Sequence, residues 1–402
     1  MKVLMLGWEL PPHHSGGLGV ACYEMCKEIT SHGVDIEFIL PYTAEHNIDF
    51  MKITPAHHQS VEKVKLAGGA YTPEFFGKDK VTVHNQHLDL RRQHDLFAQN
   101  VAKLVDSLEF DVIHAHDWLT FRAGLLAKRV SGKPLVAHVH ATQYDQSGGG
   151  YGNPEAREIE QSCLMEADQI FAVSQLTKDV LVREYGIPEG KISVVHNSME
   201  VMDVIDEDQS VYRYLDVMKS QGYKVVVNIG RKTLQKGLTH LLEAAKKVVE
   251  KNPKVLFLLA GSGEQERELI ELAAAYGISR NVIFVGWISG KPWRDAYRIG
   301  DVFIMPSVSE PFGLVALEAI GYGCPVIISK QSGVGEVLRN CLKADFWDTD
   351  KMADLVLQVC EHESLRNELW RNSYIEYQNQ SWRKSAEIMK GHYHGLKEKV
   401  LA

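Results

Sequence analysis

The chain has 402 residues, 45% apolar and 24% charged, the length of two ordinary domains and the composition of a globular protein. Its net charge of −8, with no clustering of basic residues, argues against nucleic acid as a partner and against stable association with an anionic membrane surface. The N-terminus is charged too early for a signal peptide and no apolar run approaches membrane-spanning length, so a cytoplasmic protein is expected.

Val3–Leu6 reads as a buried first strand. The loop Pro11-Pro12-His13-His14-Ser15-Gly16-Gly17-Leu18-Gly19 follows, and a helix is predicted from Val20 to about Ser31. Glycines such as Gly16 and Gly17 between a strand and a helix let backbone approach a ligand closely. A dinucleotide fingerprint is not met, because Cys22 stands where its last glycine or alanine belongs and no acid ends the second strand. Cys22 and Cys26 share that helix, but no second Cys or His pair follows at finger spacing, so no metal site is expected there. All six cysteines are scattered, as free thiols of a reducing compartment are.

Further strands are predicted at Ile36–Leu40, Val81–His84, Val112–His116, Leu135–His140, Ile170–Ser174 and Ile192–His196. Helical stretches alternate with them, the pattern of a doubly wound parallel sheet. Residues 47–77 show no periodicity and read as an irregular insertion. His114-Ala115-His116-Asp117-Trp118 and His138-Val139-His140-Ala141-Thr142 end two of the strands. The first suggests a metal cluster, but residues two apart on a strand leave Asp117 on the opposite face from His114 and His116. From sequence alone His138 and His140 read as structural. The run Gly148-Gly149-Gly150 excludes stable secondary structure and predicts a mobile loop.

Residues 198–223 turn acidic and polar and mark a domain boundary, placed at 205/206. A second alternating run has strands at Val225–Ile229, Val255–Ala260, Val282–Val285, Val302–Met305 and Val326–Ser329. The first ends in Gly230-Arg231, followed by Lys236-Gly237 and a helix over 238–250. Two cations flanking a strand–helix turn suit a diphosphate leaving group, and equally read as solvated surface charges. Gly261-Ser262-Gly263 and Gly286-Trp287-Ile288 close the next two strands.

Val308-Ser309-Glu310-Pro311-Phe312-Gly313-Leu314 leads from the strand Val302–Met305 into a helix predicted to start at Pro311 or Phe312. The free N–H groups of Phe312, Gly313 and Leu314 then form an anion site. Glu318 lies two turns, about seven residues, deeper on roughly the same side. Spacing leaves two solvated glutamates as open as two groups gripping sugar hydroxyls. Trp382, Ala386, Met389 and Tyr393 recur at helical spacing in the tail, while Trp370, Tyr374 and Tyr377 look exposed.

The stretch S-E-P-F-G-L-V-A-L-E-A at 309–319, followed by Gly323-Cys324-Pro325, resembles the E-x7-E signature of retaining GT-B glycosyltransferases of family four and the starch and glycogen synthases. Gly230-Arg231 through Lys236-Gly237 resembles the family's G-R-x4-K-G motif, and His116-Asp117-Trp118 the H-D-W of glycogen synthases. The glycine-rich loop resembles the family's donor loop, except that His14 stands where bacterial starch and glycogen synthases carry lysine.

The resemblance implies an α/β GT-B fold of two doubly wound parallel-sheet domains with a cleft between them. Residues 1–205 would be the acceptor side, residues 206–380 would bind the nucleotide sugar, and the helix from 381 would cross back. It implies retaining transfer of a hexose, glucose above all, from ADP- or UDP-glucose to an α-glucan, with no cofactor and no metal. The implied catalytic residues are Arg231 and Lys236 on the diphosphate, Glu310 on the sugar hydroxyls, and His140 against the donor sugar as the cleft closes. Gly16, Gly17, Gly230, Gly261, Trp287, Ile288, Pro311, Phe312, Gly313, Leu314 and Glu318 would bind the donor, with Glu318 on the ribose. His116, Asp117 and Trp118 would face the acceptor. Other family-four acceptors, a non-transferring sugar-nucleotide enzyme and a silent glucan-binding regulator are the alternatives. Base, sugar, acceptor and oligomeric state stay open.

Overall fold

The computed structural model describes residues 1–13, 16–56, 81–83, 86–88, 90–200 and 209–401. Two compact units emerge, one of Met1–Gln146, Gly150–Ser198 and Ser381–Ala402, the other of Ser147–Gly149 and Met199–Gln380. The boundary expected at 205/206 falls within 201–208, outside the described residues.

The first unit contains strands β1 (Lys2–Leu6), β2 (Asp35–Leu40), β3 (Lys52–Pro55), β4 (Val81–Val83), β5 (Gln86–Leu88), β6 (Val112–His116), β7 (Leu135–Val139), β8 (Gln169–Ala172) and β9 (Ile192–Val194). Its helices are α1 (Gly17–Ser31), α2 (Leu90–Val105), α3 (Asp117–Ser131), α4 (Gln143–Gln146), α5 (Pro154–Glu166) and α6 (Gln175–Tyr185). Seven strands form one parallel sheet in the order β3-β2-β1-β6-β7-β8-β9. Every residue of β6 and β7 is buried, as expected of central strands covered on both faces.

Two expectations fail here. Val81–His84 was expected to join the parallel sheet, but Val81–Val83 pairs antiparallel with β5 in a separate hairpin; His84 lies outside the described residues. A strand followed within a few residues by another can pair only antiparallel, since a parallel crossover needs a dozen or more residues. Lys52–Pro55, inside the stretch read as irregular, is the edge strand beside β2, with the Lys52 ammonium and Thr54 hydroxyl both on Glu37 at 2.7 Å. Four residues ending in proline show no periodicity, and an edge tolerates the missing N–H.

The second unit contains β10 (Lys224–Ile229), β11 (Val255–Ala260), β12 (Val282–Gly286), β13 (Val302–Met305), β14 (Val326–Ser329) and β15 (Leu342–Ala344). Its helices are α7 (Arg213–Ser220), α8 (Leu238–Lys251), α9 (Glu266–Ala275), α10 (Lys291–Ile299), α11 (Leu314–Gly321), α12 (Thr349–Glu361) and α13 (Glu363–Gln378). The sheet is again all parallel, ordered β12-β11-β10-β13-β14-β15. Leu238, Leu241, Leu242, Ala245 and Val248 repeat at helical spacing on α8 and bury one face among the core residues of β10, β11 and α12. Each such leucine contributes about 1.5–3 kcal/mol on burial. Tyr377, which looked exposed in sequence, is fully buried and donates its hydroxyl to the Glu200 carbonyl at 3.1 Å.

The last helix, α14 (Trp382–Leu401), belongs to the first unit. Trp382, Ala386, Met389 and Tyr393 are all buried, and the Lys390 ammonium donates to the His32 carbonyl at 2.6 Å. In each unit the strand order reverses beside the first strand, between β1 and β6 and between β10 and β13. Open α/β sheets bind ligands outside the carboxyl ends of the strands at such reversals.

Candidate active site

In the second unit, Arg231 and Lys236 follow β10 and Glu310 follows β13, so the reversal brings Lys236 and Glu310, 74 residues apart in the chain, to contact distance. The Lys236 ammonium donates to Glu310 Oε2 at 2.6 Å and the Ser307 hydroxyl donates to the same oxygen at 2.9 Å. Arg231 Nη2 donates to Gln235 Oε1 at 3.2 Å, and Gln235 Nε2 in turn donates to the Ser309 carbonyl at 3.0 Å. The two loops are therefore one hydrogen-bonded assembly. Lysine and glutamate, assigned separate partners from sequence, are paired here.

The helix behind Glu310 starts later than expected. α11 begins at Leu314, and Pro311 and Phe312 lie before it, both buried. Gly313 has φ +106°, and a Cβ there would stand 2.7 Å from Met305 Cε, so only glycine makes this entry. The Phe312 carbonyl accepts from Val334 N at 2.7 Å, and Glu310 lies bridged to Ser332. The free first-turn N–H groups accordingly begin at Leu314, not at Phe312. Glu318 is half-buried and accepts from the Tyr297 hydroxyl at 2.6 Å. Burial raises its carboxyl to about 7, with the Tyr297 hydrogen bond pulling the other way.

Gly230 N donates to the Ala260 carbonyl at 3.0 Å and Gly261 N to the Gly286 carbonyl at 2.6 Å, lacing three adjacent strand ends together. Gly261, at φ +113°, is so close that a Cβ would overlap the Gly230 carbonyl oxygen. Beneath this lace lies Lys232, fully buried, its ammonium on the Gly261 carbonyl and on Glu266 at 2.7 Å. Trp287 is 67% exposed and Ile288 half-buried just past β12. Lys232, Gln235, Tyr297 and Ser307 escaped the sequence reading because nothing in their local spacing marks them.

Gly16, Gly17, His116, Asp117, Trp118 and His140 belong to the first unit. Gly16 caps α1, which starts at Gly17 and so three residues earlier than expected. The buried carboxylate of Glu9 accepts from Gly19 N at 3.3 Å, so one first-turn N–H of α1 is already taken. His14 lies outside the described residues.

His114, His116, His138 and His140 share one face of β6 and β7 and the turn after it, all buried. His114 Nε2 meets His138 Nδ1 at 3.1 Å, and the Tyr393 hydroxyl lies 2.6 Å from His114 Nδ1. His116 Nδ1 meets His140 Nε2 at 3.0 Å, and His116 Nε2 lies 3.0 Å from the Met5 sulfur. Thioether sulfur can only accept, so His116 Nε2 carries the proton, its Nδ1 accepts from His140 Nε2–H, and His140 Nδ1 keeps a bare lone pair. That nitrogen is buried without a hydrogen-bond partner. Burial drives His140 and His114 down to about 3, so both are neutral at physiological pH.

Two groups of these buried side chains are close enough to be considered for a metal ion: Cys22, His116 and His140, and His114, His116 and His138. However, His114 stacks on His116 at 4.5 Å and 28°, and His138 on His140 at 4.3 Å and 23°. Stacked rings hold their lone pairs in near-parallel planes, which suits a hydrogen-bonded ladder better than convergence on one ion.

His116, Asp117 and Trp118 do not present themselves as acceptor contacts. His116 is in the ladder, Trp118 is buried, and Asp117 Oδ1 accepts from His140 N at 2.6 Å and Ala141 N at 3.4 Å. Two further buried carboxylates continue this hold: Asp145 Oδ2 accepts from Thr142 N at 2.9 Å and Glu160 Oε1 from Gln143 N at 3.0 Å. Four successive N–H groups after β7 are thus held by three acids. Burial raises Asp117 well above the ordinary range and Glu160 to about 8.

Residues 15–201 match the family model described as Glycosyltransferase Family 4, and residues 216–375 match that of Glycosyl transferases group 1. Among similar proteins, an uncharacterized glycosyltransferase of Methanocaldococcus jannaschii is 28% identical, over 85% of this chain and 83% of its own. A glycogen synthase of Mycobacterium tuberculosis is 26% identical over 85% and 80%. A D-inositol 3-phosphate glycosyltransferase of Rhodococcus jostii is 30% identical over 81% and 72%. Among solved structures, sucrose-phosphate synthase of Thermosynechococcus elongatus superposes with a TM-score of 0.75 at 17% identity, covering 98% of each chain. Anabaena HepE in complex with UDP and glucose superposes with a TM-score of 0.71 at 19% identity, covering 98% of this chain and 100% of its own. Two family models in succession, spanning nearly the whole chain, and the shared two-sheet GT-B architecture place this enzyme among the family-four, group 1 glycosyltransferases.

Proposed function

We propose that this glycosyltransferase moves a hexose, glucose above all, from a nucleoside diphosphate sugar to an α-glucan, with retention at the anomeric carbon and without a metal. The observation carrying the donor half is the Arg231, Lys236 and Glu310 assembly at the β10–β13 reversal. Two fixed cations there supply the charge that a departing diphosphate needs. In this reading Lys236 turns from Glu310 to the diphosphate when donor enters, and the freed carboxylate takes sugar hydroxyls. The bond from the anomeric carbon to the phosphate oxygen breaks, the acceptor oxygen attacks from the same face, and the departing phosphate takes its proton. His140, neutral, acts as a hydrogen-bond partner and not as a base. HepE, solved with UDP and glucose, supports a nucleotide-sugar donor, and the glycogen synthase relative supports the glucan. The 30% identity to inositol-phosphate glycosyltransferases keeps one second reading in view, a small phosphorylated acceptor.

The test is release of nucleoside diphosphate from ADP-glucose and UDP-glucose, each with and without glycogen. Glycogen-dependent release from one of them is the expected result and names the base. Binding of a diphosphate without glycogen-dependent release would discard the glucan and keep the donor site; no binding of either would discard both.

Glu318 gives this reading a pH signature. It is assigned to the ribose hydroxyls, which an ionised carboxylate accepts best. Since its carboxyl sits at about 7, the ionised fraction falls as pH drops from 8 to 6, and donor affinity is expected to fall with it. Glu318→Gln should bind more weakly at pH 8 and lose that dependence, measured by titration calorimetry with the nucleotide sugar. An unchanged pH dependence in Glu318→Gln removes Glu318 from the ribose.

A further inference from the structure

Trp347 is 59% exposed, yet it is not loosely held. Phe346 meets its ring edge-on at 4.8 Å and 85°, and His240 backs Phe346 at 5.2 Å. The turn that carries both aromatics is stitched by Asp348 N to the Asp345 carbonyl and Thr349 N to the Trp347 carbonyl, each at 3.0 Å.

Two tethers run from this turn to the candidate active site, both within the second unit. One goes through α8, the helix that opens just after Lys236. His240 lies on it; one turn on, Glu243 accepts from the Thr349 hydroxyl at 2.9 Å, and two turns on, Lys247 donates to Thr349 Oγ1 and Asp350 Oδ1, each at 2.8 Å. The other goes through Gln331. Its carbonyl accepts from Glu310 N at 2.9 Å, its Oε1 accepts from Phe346 N at 3.4 Å, and its Nε2 donates to Asp345 at 3.1 Å. The aromatic turn is thus fixed against the two segments that carry Lys236 and Glu310.

We infer that Trp347, propped by Phe346, is a sugar-ring platform that takes a pyranose unit of the carbohydrate acceptor beside the transfer centre. A pyranose has one face of C–H bonds and a rim of equatorial hydroxyls. The open indole face matches the first, and the carboxylate of Asp345, the amide of Gln331 and the ammonium of Lys330, joined to Asp345 at 2.7 Å, match the second. An aromatic already braced by a neighbouring ring loses little conformational freedom when a ligand stacks on its open side. Neither family resemblance nor motif spacing marks this position. The inference rests on the reading that the acceptor is a carbohydrate.

The test uses Trp347→Ala and Trp347→Phe in the full chain, with electrophoresis through gels containing glycogen and kinetics with maltoheptaose. The expected result is that wild type is retarded by glycogen, Trp347→Ala much less so, and Trp347→Phe nearly as wild type, with melting temperatures alike. In kinetics, Trp347→Ala should raise the KM for maltoheptaose about tenfold, with the loss in KM and not in kcat. Equal retardation of wild type and a folded Trp347→Ala would overturn the platform while leaving glycogen-dependent diphosphate release intact. Wild type that passes unretarded, or that sediments as a dimer which Trp347→Ala breaks, would overturn it as well, the second by assigning the patch to another copy of the chain. Failure of glycogen-dependent release in every protein, by contrast, strikes the glucan reading itself.

Discussion

Replacing Arg231 by alanine is expected to lower the rate of nucleoside diphosphate formation by about 10²–10³ at saturating donor, the loss typical of one preorganised electrostatic donor. The guanidinium stands at the carboxyl end of β10, half-buried and hydrogen-bonded to Gln235, an orientation that in the proposed reading aims its planar fork at the leaving group. Lysine at this position keeps the charge and loses the fork, and should recover only part of the rate. The check is single-turnover diphosphate release alongside thermal unfolding. An alanine variant that turns over at nearly the wild-type rate would remove Arg231 from the leaving-group site.

Lys236 should behave differently, because its partner is on the protein. Glu310 is 7% exposed, and Lys236→Met leaves its carboxylate, among the described residues, with the Ser307 hydroxyl. The expected cost is about 1–3 kcal/mol of stability, the penalty of an unpaired polar group at a mostly buried position, together with a rate loss of about 10²–10³. Lys236→Met with Glu310→Gln removes both charges, so stability should largely return while turnover does not. Coupling of this kind is what a double-mutant cycle isolates. Chemical denaturation and diphosphate release on the four proteins read the two effects separately. Should the double variant unfold as easily as Lys236→Met, the ion pair is not what holds this loop. Should it recover activity, Lys236 serves Glu310 and not the diphosphate.

The pairing explains a tension in the sequence. An acid repels an incoming phosphate unless a cation neutralises it, and Glu310 is met by Lys236 at 2.6 Å. In the proposed reading that contact is the resting state, from which Lys236 turns to the diphosphate.

Much of this was legible in the amino-acid order. Alternating buried runs and helical stretches announce two doubly wound sheets, because strands covered on both faces must be apolar throughout, as Val255–Ala260 is. The Glu310–Glu318 stretch and the Arg231–Lys236 turn are local in sequence, so their spacing could be read without knowing what packs against them. So could the buried stripe of Trp382, Ala386, Met389 and Tyr393, since one helix face is a property of its own residues.

Only the tertiary structure decided what those residues touch. Lys236 meets Glu310 because β10 and β13 are neighbours in the sheet though separated by two strands in the chain. Gly313 adopts a left-handed backbone, φ +106°, so α11 begins only at Leu314, and the close approach of Met305 at that turn is a contact between segments that no local propensity reports. Tyr297 reaches Glu318 across 21 residues and Tyr393 reaches His114 across 279, while Asp117 and Glu160 reach the N–H groups after β7 across 23 and 17. The short edge strands Lys52–Pro55 and Leu342–Ala344 exist because a neighbour offers them hydrogen bonds, their own three or four residues being too few to carry a period. Periodicity is written along the chain; side-chain partnership is set by which strands lie side by side, and that is fixed only when the sheet has formed.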